Sequence, residues 1–412
     1  MEKIRTAAQG RRDATLLFTT RSIRLFAYGL LSIVFVLYLA RIGLGGPAIG
    51  LLLTLTLLGD AGISLWITTR ADRAGRRRML LLGAALMVAG GLAFLGTRQP
   101  LWLMLAAIVG VISPSGNEVG PFLSIEQAAL SQLVSDQERT RVFAWYNLAG
   151  SVATALGALA GGWFTHFAGG AGLSDLDSYR WLLAVYAVAG LALGLLLARL
   201  SPAVEAPLAS ATGATRFGLH RSRSVVARLS ALFALDAFGG ALVLQSVMAY
   251  WFHVRFGAST AALGSLFFAA NLLAAASALL AHRFAARFGL VNTMVFTHLP
   301  SNVMLALVPL MPTMASAMTM LLARFAISQM DVPTRQSYTM AVVAPDERAA
   351  AAGVTAIARS LGAGAAPVLG GAFLLTGSGV PFFVAGGLKI VYDLMLYRAF
   401  RGLPAAGDPQ RT

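Results

Sequence analysis

Apolar stretches of about 20 residues, nearly free of charge, recur along this chain from Ile23 to Phe400, a pattern that leaves a backbone few options. A bilayer core of roughly 30 Å takes about 20 helical residues per crossing. Inside it every peptide N–H and C=O must be satisfied within the protein, which for uninterrupted apolar runs means helix. Of 412 residues, 57% are hydrophobic and 12% charged, with a mean hydropathy of +0.73; soluble chains carry about 25% charged residues. Twelve crossings fit, at 22–42, 47–70, 78–97, 101–133, 142–166, 180–199, 227–252, 260–281, 289–311, 313–334, 350–376 and 380–400. They leave short loops, two tails and one longer linker, with no space for a large soluble domain.

The formal charge of +15 would suit nucleic acid only if the basic residues shared one solvated face. With the N-terminus inside, they fall elsewhere. Twenty-five of them, from Lys3 through the cluster Arg70, Arg73, Arg76, Arg77 and Arg78 to Arg411, lie on the cytoplasmic side, including Arg21, Arg24 and Arg335. Only Arg41, Arg98, Arg180 and Arg255 lie opposite. This is the positive-inside asymmetry, with both termini cytoplasmic, and it explains the basic excess without nucleic acid. Trp102, Trp163, Trp181 and Trp251 fall at outer ends of crossings, where indoles favour the headgroup level. Ile23 to Leu39 lacks a small-residue cleavage site and is followed at once by another crossing, so it reads as a span rather than a leader.

Several chemistries have no residues to carry them. Cysteine is absent and the two lysines, Lys3 and Lys389, sit in no phosphate-binding loop. His166, His220, His253, His282 and His298 show no metal-ligand spacing, and read as packing or helix-end residues. Gly362-Ala363-Gly364 lies within an apolar helix and not after a strand, and Ser113 and Ser115 flank Pro114 with no nucleophile elbow. Pro114 and Pro300 read as helix bends. No enzyme, metal or cofactor is expected.

Residues 200–226 are rich in Ala, Ser, Pro and Gly and then basic, the composition of a cytoplasmic linker. Sliding the chain against itself by 209 residues tests whether the flanking segments are copies. Gln127 meets Gln336, Glu138-Arg139 meets Glu347-Arg348, Gly161-Gly162 meets Gly370-Gly371, and Phe164 meets Phe373. The expected fold is therefore an all-α membrane protein of 12 transmembrane helices in two pseudo-symmetric six-helix halves, 22–199 and 227–400, with tails 1–21 and 401–412. Two such halves with substrate handled where they meet form a transporter architecture.

Thr68 to Arg78, T-T-R-A-D-R-A-G-R-R-R, resembles the loop signature G-x-x-x-D-R-x-G-R-R of the major facilitator superfamily. Asp72, Arg73, Gly75, Arg76 and Arg77 match, and Thr68 replaces the first glycine. Ala286-Arg287-Phe288-Gly289 resembles an eroded second copy, and Glu138-Arg139 and Glu347-Arg348 resemble the pairs opening the fifth and eleventh helices. Gly157 through Gly161-Gly162 resembles the G-P-x-x-G-G of proton-driven exporters with Ala158 for proline; in the other half Pro367 precedes Gly370-Gly371. The acidic and basic residues form a cytoplasmic latch in this reading, an Asp being favoured near a helix start and Arg pairing with Glu. The small residues let helix backbones approach.

Ionisable residues inside a membrane cost about 2.5 kcal/mol or more each and point to function. They are Asp60, Glu118, Asp236, Arg324, Asp331, Arg359, Lys389 and Asp393. Lys389 and Asp393, four apart, read as a structural pair. The resemblance implies that helices 1, 4, 7 and 10 line a cavity, placing Glu118, Asp236, Arg324 and Asp331 at a proton and substrate site. It also makes helix 2 a neighbour of helix 11, and equal depths of Asp60 and Arg359 then suggest an intramembrane ion pair. The function implied is alternating-access secondary transport, with proton-coupled export of a small organic or toxic compound. A cavity carboxylate would exchange proton for substrate, and Arg324 would hold an anionic group or tune a carboxylate. A uniporter or symporter for an anionic nutrient, or a transport-inactive receptor or scaffold, is the alternative. The partners are the substrate, protons and lipid. The expected address is a bacterial inner membrane, with arginine far above lysine as in high-GC genomes, and the expected state is a monomer.

Overall fold

The computed structural model describes residues 2–118, 120–205 and 220–401. Most of the 200–226 linker and the 401–412 tail thus lie outside the described residues, as do Arg216 and Arg411. Among the described residues all regular structure is helical, and ten helices are long and apolar enough to cross a membrane.

The chain divides into two compact units. The first comprises Met1–Leu44, Leu55–Ala214 and Ser259–Phe268. Its long α1 (Glu2–Arg41) packs on α6 (Asp136–Gly170) through small residues. A Cβ added to Gly157 would stand 2.0 Å from the Phe26 carbonyl oxygen, and one on Gly29 2.1 Å from that of Thr154. Only glycine permits this approach. α3 (Arg76–Gly96) packs on α7 (Asp175–Leu197), and the Tyr38 hydroxyl donates to the Phe94 carbonyl at 2.6 Å.

The crossing expected at 101–133 is not one helix. α4 (Pro100–Val109) stops, residues 110–121 run irregularly, and α5 (Phe122–Leu133) resumes. Gly116 and Gly120, at φ +72° and +84°, with Pro114 and Pro121, make continuation impossible. Exposed backbone at membrane depth needs partners, and the side chains of this unit supply them. Asp60 of α2 (Gly46–Ala74) accepts from Gly120 N–H at 2.6 Å, Ser113 Oγ donates to Asn117 O at 2.7 Å, and Thr154 Oγ1 donates to Gly116 O at 3.3 Å.

The second unit comprises Gly45–Thr54, Thr215–Ala258 and Ala269–Thr412. α8 (Arg223–Ala241) packs on α14 (Arg348–Leu374), and α11 (Leu290–Leu307) on α15 (Val380–Phe400). Leu229, Phe233, Met294, Val295, Tyr338 and Tyr392 fill the space between. Here too expected crossings are split. 227–252 becomes α8 and α9 (Gln245–Phe256), and 313–334 becomes α12 (Met314–Ser328) and α13 (Asp331–Val342). Pro300 and Pro367 stay inside α11 and α14.

The repeat extends beyond the sequence matches. α2 and α10 (Thr260–Phe288) are each 29 residues long and start 214 residues apart. α3 and α11 also start 214 apart, after Gly75 and Gly289 at φ +99° and +82°, so the eroded motif keeps the glycine its turn requires. Arg139 Nη2 donates to Ser131 O at 3.1 Å and Arg348 Nε to Met340 O at 2.9 Å, both ends shifted by 209. Within unit 1 a Cβ on Gly162 would meet Thr260 O at 2.3 Å. Within unit 2 one on Gly371 would meet Gly46 O at 2.8 Å. Trp102, Trp163 and Trp181 are exposed, but Trp251 is buried against Phe382 and donates to Gly377 O; its polar end is satisfied by protein, not by headgroups.

Candidate functional site

Each unit holds its own buried ion network. In unit 1, Arg24 lies with Nη1 and Nη2 2.9 and 2.7 Å from the two oxygens of Glu126, both side chains being 0% exposed. A planar guanidinium meeting a carboxylate in this forked way is the strongest form of the interaction. Tyr146 also donates to Glu126, and Thr20 does so at 3.4 Å, so Glu126 is saturated. Glu118, in the irregular stretch before α5, accepts from Arg24 Nε at 2.9 Å. Its other oxygen lies 3.1 Å from Arg21 Nη1 without a hydrogen bond, and it is more exposed, at 14%.

Sequence reasoning placed Arg21 and Arg24 among the loop cations; both are buried, on α1. Arg335, given the same place, is buried on α13 and bonds Asp236 at 3.0 Å and Asp331 at 3.2 Å. Along the sequence a cation near the end of a crossing looks the same whether it snorkels to water or turns inward. Glu126 lies inside an apolar block near the expected end of the crossing, and the signal for it is its place five residues after Pro121, where the block stops being continuous.

In unit 2, Asp236 of α8 is held by Lys389 Nζ at 2.5 Å as well as by Arg335. The expected Lys389–Asp393 pair is thus replaced: Asp393 lies 2.8 Å from His298 Nδ1 and accepts from Asn302 Nδ2 at 2.9 Å, both residues on α11. Spacing of four puts two residues on one helix face, but here the neighbouring helices present better partners. His298, read as a packing residue, stands inside this network, with Nε2 3.8 Å from Asp236. Arg324 of α12 and Arg359 of α14 belong to this unit too.

Asp60, expected to pair with Arg359, takes its bonds within unit 1, from Gly120 N–H and from Ser64 at 3.4 Å. Arg359 Nη1, within unit 2, is buried without a hydrogen-bond partner.

The latch motif is structured at the ends of the crossings. Asp72 at the end of α2 pairs with Arg76 at the start of α3 at 2.8 Å, across the Gly75 turn, and Arg73 is exposed. Arg77 donates to Ala198 O. Glu205, which the sequence reading did not single out, receives Arg76 N–H at 2.5 Å and Arg77 N–H at 3.3 Å. A carboxylate there satisfies free N–H groups at the start of α3. Glu347 does the same before α8, accepting from the N–H groups of His220, Arg221 and Ser222, the last two at 2.7 and 2.9 Å. The Ser222 hydrogen bond and these N–H bonds hold its carboxyl down at about 2. Glu138, its repeat counterpart, accepts from Ser135 at 3.1 Å.

The family model of the Major Facilitator Superfamily matches residues 17–367. The chain belongs to that superfamily. Membership makes this a multi-pass membrane transporter that handles a small molecule, and not an enzyme. The chain is 31% identical to the uncharacterized membrane protein YJR124C of Saccharomyces cerevisiae, over 96% of its own length and 95% of the relative's. Its fold is like that of a D-xylose-proton symporter (TM-score 0.74, 16% identity, 96% and 98% of the two chains). It is also like a bacterial homologue of the human lysosomal transporter Spinster in an inward-facing state (TM-score 0.72, 15% identity, 95% and 97%).

Proposed function

We propose that the protein is a proton-coupled exporter of a small organic compound, working by alternating access between two six-helix halves, with both termini in the cytoplasm and in a cytoplasmic membrane. The observation that carries the coupling is the contrast between two carboxylates on one arginine. Glu126 is enclosed and saturated, while Glu118 is partly open and has an oxygen with no hydrogen bond. Glu118 Oε2, 3.1 Å from Arg21 Nη1 but without a hydrogen bond, is the less tightly held oxygen, and neutralising it weakens the hold on Arg21 and Arg24 without disturbing Glu126. Glu118 sits in the irregular segment 110–121, so that change is delivered to the least regular backbone of the crossing. Asp236, the other candidate carrier, is held at hydrogen-bond distance by Lys389 and Arg335 on both its oxygens, so Glu118 is the better-supported proton site, with Asp236, Asp331 and Arg324 assigned to the substrate side of the exchange.

In proteoliposomes, Glu118→Gln should abolish accumulation driven by a pH gradient and retain exchange of substrate across the bilayer. Normal gradient-driven accumulation in that variant would remove Glu118 from the proton path.

A further inference from the structure

The ion network of unit 2 is not balanced. Among the described residues of its α-helices the charges that are not exposed are four cations, Arg324, Arg335, Arg359 and Lys389, against three carboxylates, Asp236, Asp331 and Asp393. The carboxylates are spoken for: Asp236 by Lys389 and Arg335, Asp331 by Arg335, and Asp393 by His298 and Asn302. Arg324, 9% exposed, has a buried Nε with no hydrogen-bond partner, and Arg359 has a buried Nη1 in the same condition. Among the described residues neither reaches a carboxylate within ion-pair distance, although both have Asp236 and Asp331 as their acidic neighbours. One turn beyond Arg324 on α12, Ser328, 3% exposed, has an unpartnered buried hydroxyl. Residues four apart share a helix face, so the cation and the hydroxyl stand one above the other.

Unpaired buried cations are costly. A folded chain that keeps two of them around the same two carboxylates, one of them a turn from an idle hydroxyl, lacks an anion. We propose that Arg324, Ser328 and Arg359 form a receptor for the oxyanion group, carboxylate or phosphate, of an organic substrate. A guanidinium presents paired N–H donors suited to such a group and stays charged at every physiological pH, while Ser328 supplies a neutral donor that fixes its orientation. The inference names the substrate class of the exporter proposed above and rests on that reading only for the direction of use, since occupancy of the receptor can be measured without transport.

The full chain in lipid nanodiscs is unfolded thermally with benzoate, phenyl phosphate or the neutral benzamide, chloride balancing the ionic strength. Benzoate or phenyl phosphate should raise the midpoint by about 2–4 °C at saturation, and the larger shift distinguishes a carboxylate receptor from a phosphate receptor. The shift should vanish in Arg324→Gln and Arg359→Gln, shrink in Ser328→Ala, and persist in Arg255→Gln at an exposed helix end. Without ligand, Arg324→Gln should unfold at the same temperature as the parent or higher, because it removes an unpaired cation and leaves no carboxylate deserted. The receptor is overturned by no shift with either anion, by an equal shift with benzamide, by a shift surviving in both arginine variants, or by an unliganded Arg324→Gln that is clearly less stable. Anion-specific shifts without proton-driven accumulation of the same compounds in proteoliposomes would leave the receptor standing and remove the export reading.

Discussion

Glu126 and Arg335 stand 209 residues apart, the offset that relates the repeated segments, and each closes a buried ion pair whose polarity is the reverse of the other. Glu126 on α5 accepts from Arg24 on α1, whereas Arg335 on α13 donates to Asp236 on α8. In each unit a buried link joins two helices, α1 to α5 in one and α8 to α13 in the other, with its charges exchanged. What a buried link requires is complementarity, since either charge alone would be left in a low-dielectric interior.

The Arg24–Glu126 pair should therefore behave as a unit. Glu126→Gln should destabilise the protein by about 3–5 kcal/mol, the usual consequence of leaving one buried charge without its partner. Arg24→Leu with Glu126→Leu should cost less than the two single changes together. Unfolding of the four proteins in one detergent measures the coupling; additive losses would count against a specific pair.

Glu347 makes a pH prediction. Its carboxyl is held near 2 by Ser222 and the N–H groups before α8, below the usual value for a glutamate of about 4.3. A depressed folded-state value adds stability that is present above the unfolded value and is lost as pH falls through the folded one. Thermal midpoints should hold above about pH 4.5 and decline between there and about pH 2. Glu347→Gln should be less stable at neutral pH and show a shallower decline across that window.

In the latch, stability and transport should separate. The Asp72 side chain is 51% exposed and its bond to Arg76 spans only the Gly75 turn between α2 and α3, so Asp72→Asn should cost at most about 1 kcal/mol. Transport at equal expression should nevertheless fall. Glu205→Ala removes the acceptor at the start of α3 and should cost more stability than Asp72→Asn. A parental transport rate in Asp72→Asn would show that the motif sets topology alone.

Asp60 can be tested between two roles. As acceptor for Gly120 N–H it holds the irregular stretch of the fourth crossing, and Asp60→Asn, which keeps an acceptor oxygen, should preserve more transport than Asp60→Ala. A pair with Arg359 makes a different forecast, partial recovery in the charge-swapped Asp60→Arg, Arg359→Asp variant. The local bonds predict no recovery.

The sequence by itself determined what depends on near neighbours along the chain. Apolar runs announce helices because the bilayer tolerates no unsatisfied backbone. The Asp72 to Arg77 signature and the Glu-Arg and Gly-Gly repeats announce the superfamily because their spacing is intact. Gly75 and Gly289 were legible because a positive φ requires glycine locally. The tertiary structure decided which charges meet. Nothing local marks Arg24 as facing Glu118 and Glu126 about 100 residues away, or turns Arg335 inward while Arg73 faces out. Lys389 and Asp393 sit at the right spacing for a pair, yet Asp236 and His298 on neighbouring helices claim them. The break in the fourth crossing was legible as well, since Ser113-Pro114-Ser115-Gly116-Asn117-Glu118 interrupts the apolar run with turn-forming and polar residues, a signal that reading 101–133 as one crossing passed over. Long-range pairing wins because a buried charge must find its complement wherever folding brings one within reach, and that distance is not written in the order of residues.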